Sequence, residues 1–361
     1  MGREGGKVKP RLSESRGRRS AIFKSLTRSR FIFRNHLIRL LAVTLFLSVG
    51  CAHHMPIPKD TAQGLYLVQS TKKDAIHRFA PVFLVHDFDR RYNRIGRVTA
   101  SRRENGKERI TIDTDQPIVY VKKELFSTPK DSYTNLIYRV HFSTIPFSLV
   151  PFNLTAGKNP GLIIVITLNR REEPVLVTSV HTCGCYKAVV STTYLPDAAL
   201  PQERQDKPTP FSLSVYGERL PAIADYQSKQ DPRLLITLRP AVHRVMDLQV
   251  IDGRTLKNHQ ADLHVRDVSL EPIENLDRLS INGDLTSFYY QEGIMKGHVK
   301  GAVKPLETLF LSWVSLDFFV GTDKMYGNPD NPFYTSLKPW NRRKSDMNDF
   351  ARFLQFWGWD L

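Results

Sequence analysis

Two thiols and an imidazole lie within five residues in His181-Thr182-Cys183-Gly184-Cys185. Side chains alternate along a strand, so in an extended segment His181, Cys183 and Cys185 share one face. One imidazole and two thiols on a common face are the beginning of a Cu(I) or Zn(II) site. Positions two apart on a strand are roughly 6.6 Å apart in Cα, too far for two sulfurs on one tetrahedral ion, so a metal requires a bend. Gly184 is the residue able to supply it. The same bend permits a Cys183–Cys185 disulfide, whose Cα separation must fall within roughly 4.4–6.8 Å, and an oxidising compartment favours that bond. Three readings follow: a disulfide, a metal or thiol-redox site, or two inert buried cysteines.

Other constellations are thinner. Ser127-Thr128-Pro129-Lys130 resembles the Ser-x-x-Lys element of penicillin-binding enzymes, with Ser280-Ile281-Asn282 in place of their second element, but the Lys-Thr-Gly element is missing. That resemblance would imply an envelope hydrolase. His86-Asp87-Phe88-Asp89, and likewise Asp113 with Asp115, offer paired carboxylates that read as polar strand ends more readily than as cation sites. His53-His54 lies in a Pro-containing tether and reads as linker, and His141 and His298 as structural histidines. There is no Gly-x-Ser-x-Gly, phosphate-binding glycine loop or His-Glu-x-x-His. Without a nucleophile or an acid–base pair, the residues point to a binding or scaffolding role and away from catalysis.

The elements that must position these residues are mostly strands. Val, Ile, Thr and Tyr dominate short runs from about residue 80 to 195, punctuated by Pro, Gly and Asn. Asn105-Gly106 between Arg94–Arg103 and Arg109–Asp115 predicts a hairpin, since both turn residues tolerate positive φ. Leu162–Ile166 is apolar on both faces and predicts a doubly buried central strand. Arg170–Glu173 predicts another tight connection. Strands without intervening helices favour antiparallel pairing. The expected fold class is α+β, β-dominated, with largely antiparallel sheets (sandwich- or barrel-like) and a helical, aromatic-rich C-terminal region. The expected organisation is a signal segment at 1–50, a tether at 51–61, a β-rich domain at 62–195, a Pro-rich loop at 196–210, and a β-rich then helical part at 211–361. Val303–Val320 is apolar nearly all round but short and interrupted by Asp317, which predicts a buried core helix instead of a membrane span. Ser345 is placed to cap a final helix, and all four tryptophans, Trp313, Trp340, Trp357 and Trp359, suggest a dense satellite core.

Charge separates the first fifty residues from the rest. They hold twelve Lys/Arg against two Glu, +10 of the chain's +16, which leaves +6 scattered over residues 51–361. The basic pI of about 9.8 therefore belongs to a leader and does not describe a nucleic-acid-binding surface. After Arg39 comes an uncharged apolar run of about a dozen residues, which fits the core of a secretory signal and is too short for a bilayer. Its end, Leu47-Ser48-Val49-Gly50-Cys51, resembles the lipobox of bacterial lipoproteins. That resemblance implies cleavage before Cys51 and acylation of its thiol and new amino group, giving an anchor of several chains. With Ala52 following the cysteine, it further implies the outer membrane, with the body facing the periplasm and other envelope proteins as its partners. The residues alone leave open an uncleaved anchor, or ordinary cleavage after Gly50 or Ala52.

Overall fold

A computed structural model describes Gly2 and residues 61–361, apart from 70–71, 150–151, 206–211 and 216. The leader, Cys51 and His53-His54 lie outside the described residues. Those that are described form an α+β, β-dominated fold built on two sheets. The five-stranded sheet runs in the order Val245–Asp252, Pro232–Leu238, Val82–His86, Gln63–Leu67, His264–Asp267. The seven-stranded sheet runs Ile223–Ala224, Ala188–Thr192, Pro174–His181, Gly161–Leu168, Ser132–His141, Ile118–Ser127, Ser269–Pro272. Strands from both sides of the Pro-rich loop share both sheets, so residues 62–195 and 211–361 belong to one compact unit.

The middle of the larger sheet is antiparallel, and short turns join three of its four strand pairs, the pair Ser132–His141 with Gly161–Leu168 being joined by a longer excursion. Parallel pairing occurs where the chain returns from a distance, at Ile223–Ala224, at Ser269–Pro272, and between Pro232–Leu238 and Val82–His86. The Asn105-Gly106 hairpin forms between Arg97–Arg102 and Glu108–Asp113, with Gly106 at φ +76°. At the second tight connection Glu172 takes positive φ while the Asn169 N–H and the Glu173 carbonyl close the turn at 3.0 Å.

Alternation along Gly161–Leu168 explains why that strand is apolar on both faces. Leu162, Ile164 and Ile166 meet Phe83, Val85, Leu234 and Ile236 of the smaller sheet. Ile163 and Val165 meet Phe333, Met347, Phe350 and Phe353 of the C-terminal segment. This body thus packs in three layers, with the larger sheet in the middle.

The C-terminal layer differs from its sequence reading in two ways. The helix Phe350–Phe356 is capped by Asp349, whose carboxylate accepts the Arg352 N–H. Ser345 instead sits buried and accepts the Ser336 N–H at 3.1 Å. The adjacent aspartate wins the cap because it directly precedes Phe350. The expected core helix is also overturned. Residues 303–320 contain a single helix, Pro305–Ser315, whose buried residues are Glu307 and Ser315. Leu309, Phe310, Trp313 and Val314 face outward. The tryptophans divide: Trp359 is buried in the core, whereas Trp313 and Trp340 are 83% and 73% exposed. Among the described residues no helix is long and apolar enough to cross a membrane.

Candidate functional site

His181 is the last residue of the strand Pro174–His181, and the chain reverses immediately after it. The Gly184 N–H donates to the His181 carbonyl at 2.7 Å, and the His181 N–H to the Cys185 carbonyl at 2.9 Å. Gly184 stands at φ +91°, and a Cβ there would come 2.1 Å from the Tyr334 carbonyl oxygen, so both conformation and space demand glycine. This is the bend that the sequence required. It brings the Cys183 and Cys185 Cα atoms to 5.6 Å, with their sulfurs joined. One His181 ring nitrogen and both sulfurs lie within 4.8 Å of one another.

His181 is buried, and among the described residues neither ring nitrogen makes a hydrogen bond of good geometry, the His243 backbone giving only a weak contact. Burial, followed by the charges of Lys304, His243 and Arg244, holds its pKa well below the usual histidine range, opposed only by the His243 backbone. The imidazole is therefore neutral, the form that ligates metal or accepts a proton. Tyr186 packs edge-on against it at 4.9 Å between centroids, and the Arg244 guanidinium lies 5.6 Å from the Tyr186 ring. His243 stacks flat on Phe142 at 4.0 Å, and burial drives its pKa down to about 3.

Around this turn lies a buried ionic network. Lys304 Nζ is 3.2 Å from Asp323 Oδ2, both side chains fully buried, in an ion pair that lacks hydrogen-bond geometry. The Thr182 hydroxyl donates to the other Asp323 oxygen. Lys324 Nζ donates to the Cys183 carbonyl at 3.1 Å and lies 4.4 Å from the Tyr334 ring. Burial lowers the Lys324 pKa to about 8, with Asp317 and Asp323 holding it up. Burial also raises Glu307, which Lys304 partly offsets. Glu218 joins Arg239 and Arg244; burial alone would raise its pKa, but the two guanidinium groups outweigh that and bring it below the ordinary range. Arg139 donates to His141 Nε2 at 2.8 Å, so that histidine has the structural role expected of it.

Comparison with family models, curated proteins and solved structures found no match for this chain. The site therefore rests on its geometry.

The serine–lysine pair does not assemble. Ser127 Oγ is 2.9 Å from Ser132 Oγ, while Lys130 Nζ is 2.6 Å from Asp360 Oδ2. Both residues are exposed, and Ser280 lies on a separate hairpin, Leu279–Ile281 with Asp284–Thr286. Asp87 is a turn residue with positive φ whose carbonyl accepts from Asn93 Nδ2, a polar strand end. Sequence reasoning did not anticipate the cationic frame of Lys304, Lys324 and Arg244. The only available signal was Lys304, Glu307, Asp317, Asp323 and Lys324 standing inside an otherwise apolar stretch.

Proposed function

We propose that this chain is an exported envelope protein, held to the outer membrane by acylation of Cys51, whose folded body binds or scaffolds other envelope components. The observation that carries this reading is the pairing of Cys183 with Cys185. Of three cysteines it consumes two in a bond suited to an oxidising compartment and leaves Cys51 as the thiol for lipid transfer. The dispersal of Ser127 and Lys130 supports a non-catalytic role. Mass spectrometry of the membrane fraction tests it. The expected amino terminus is Cys51 carrying acyl chains, with thiol labelling of Cys183 and Cys185 only after reduction. An intact Met1, or an unmodified Cys51 thiol, would overturn the anchor.

A second reading is favoured by one observation, the neutral, weakly partnered imidazole of His181 beside the two sulfurs. A dithiol reductant could open the disulfide by exchange, giving two thiols and the oxidised reductant. The nearby cations would favour the thiolates, and His181 with two thiolates is a donor set for Zn(II) or Cu(I). Zn(II) titration of the reduced protein separates the readings. Stoichiometric binding that is lost in His181→Ala supports a metal or redox role, and absence of binding leaves the disulfide as a structural staple.

A further inference from the structure

The helix Pro305–Ser315 turns its polar face inward and its apolar face to solvent. Leu309, Phe310, Trp313 and Val314 recur at helical spacing on one side. The stripe continues past the helix end through Leu316 and Phe318, which is 82% exposed. Trp340, 73% exposed, stands on the neighbouring segment, whose Arg342 donates to the Ser315 carbonyl at the helix C-terminus. Leu316 holds φ +50°, a conformation that glycine occupies more easily, yet carries an exposed apolar side chain. Exposed aromatic and aliphatic side chains gathered in this way mark an interaction site.

Its rim identifies the partner. Lys338, Arg343 and Lys344, close to Trp340 in the chain, are exposed, and among the described residues none of them forms an ion pair. Tryptophan favours the boundary between water and acyl chains, and a basic rim favours anionic headgroups. A second copy of the chain docked on the same face would bring two basic rims together, which costs affinity. Residues 52–60 can span at most about 30 Å when fully extended, so an acyl group on Cys51 keeps the body close to the bilayer. That last argument rests on the proposed anchor; the apolar face and its rim do not.

We propose that this face lies on an anionic phospholipid surface, with the Pro305–Ser315 helix parallel to the bilayer plane and Trp313, Phe318 and Trp340 among the acyl chains. The contact differs from the lipid anchor: it would fix how the body is oriented on the bilayer.

Tryptophan emission of the full chain tests this directly, because the leader contains none. Vesicles of phosphatidylglycerol and phosphatidylethanolamine with dibrominated acyl chains should quench the emission and shift it to the blue. Trp313→Phe/Trp340→Phe, which keeps Trp357 and Trp359, should lose most of the quenching. Lys338→Glu/Arg343→Glu/Lys344→Glu should require about a hundredfold more lipid, and Cys51→Ser should still show the quenching. All the replaced residues at this face are on the surface, and circular dichroism confirms that each variant is folded. Emission unaffected by the vesicles overturns the proposal even where mass spectrometry finds Cys51 acylated. So does a lipid-free dimer that shields Trp313 and Trp340 from an aqueous quencher, which would assign the face to a second copy. Quenching with an unacylated Cys51 would instead retain the face and remove the anchor.

Discussion

The strand Gly161–Leu168 and the helix Pro305–Ser315 are both rich in apolar residues and follow opposite rules. Every residue of the strand is buried, one row against the smaller sheet and the other against the C-terminal segment. The helix buries Glu307 and Ser315 and exposes Leu309, Trp313 and Val314. What differs is the neighbour. The strand lies between two apolar layers, whereas the helix begins at a buried ionic pair, Lys304 with Asp323, and its Glu307 joins that network. A polar group brought into such a site meets opposite charge, while a leucine there would leave Lys304 and Lys324 with less compensation. Burial here follows the chemistry of the facing surface as much as hydropathy.

The largest test of this contrast is acid. His141, His181 and His243 lie buried and neutral at the border between the sheet and the ionic ground, each with its pKa lowered chiefly by burial. A depressed folded pKa means the unfolded chain binds more protons, so the associated stability is present above about pH 6.5 and is lost as pH falls towards the folded values. For His243, with a folded pKa of about 3, the loss by pH 5 is about 2 kcal/mol. His141 and His181 add to it in the same direction. Glu307 and Asp346, raised by burial, work oppositely and regain stability on acidification. Urea unfolding of the wild type should therefore weaken by several kcal/mol between pH 7 and pH 5. His243→Asn should shrink that difference by about 2 kcal/mol; a pH-independent cavity cost cancels in the comparison. An unchanged difference would show that His243 is not held neutral by the fold.

The next test compares the two sides of the helix. Lys304→Ala strands Asp323 and should cost about 3–5 kcal/mol of unfolding free energy. Trp313→Ala, on the opposite side, should change stability by no more than about 0.5 kcal/mol. A Trp313→Ala loss as large as that of Lys304→Ala would mean that the outward face packs against something within the protein, and the inversion would fail. Ile164→Ala, costing about 2–5 kcal/mol, provides the sheet's own scale. A mild double variant, Lys304→Met/Asp323→Asn, would indicate that the pair specifies the inward face more than it stabilises the fold.

This contrast also explains what could be read in advance. Strands were legible because period-two alternation and turn residues such as Asn105-Gly106 and Asn169–Glu173 act locally. The bend at Gly184 was legible for the same reason. The polar residues Thr308, Ser312 and Ser315 do mark one helical face in the sequence. Which face is inside depends on Asp323, Lys324 and the strand end at Thr182, brought together from distant positions. The environment of His181 was hidden likewise, since Lys304, His243 and Arg244 lie far along the chain. The resemblance to a lipobox at Leu47–Cys51 lies outside the described residues and is a reading of sequence alone.

The smallest expected effect probes why a leucine occupies position 316. Its φ of +50° costs an ordinary side chain about 1 kcal/mol or more relative to glycine, and helices commonly end on glycine for that reason. Leu316→Gly should accordingly be neutral or gain up to about 1 kcal/mol in urea unfolding, because relieved backbone strain is partly offset by the greater freedom of the unfolded chain. The same variant removes an apolar side chain from the exposed stripe, so its partition onto brominated anionic vesicles should weaken severalfold. Stability and docking would then move in opposite directions, as expected where a residue is kept for a surface at some cost to the fold. A Leu316→Gly protein that is less stable and docks as well as the wild type would show instead that Leu316 packs inward, and that the apolar stripe ends at Val314.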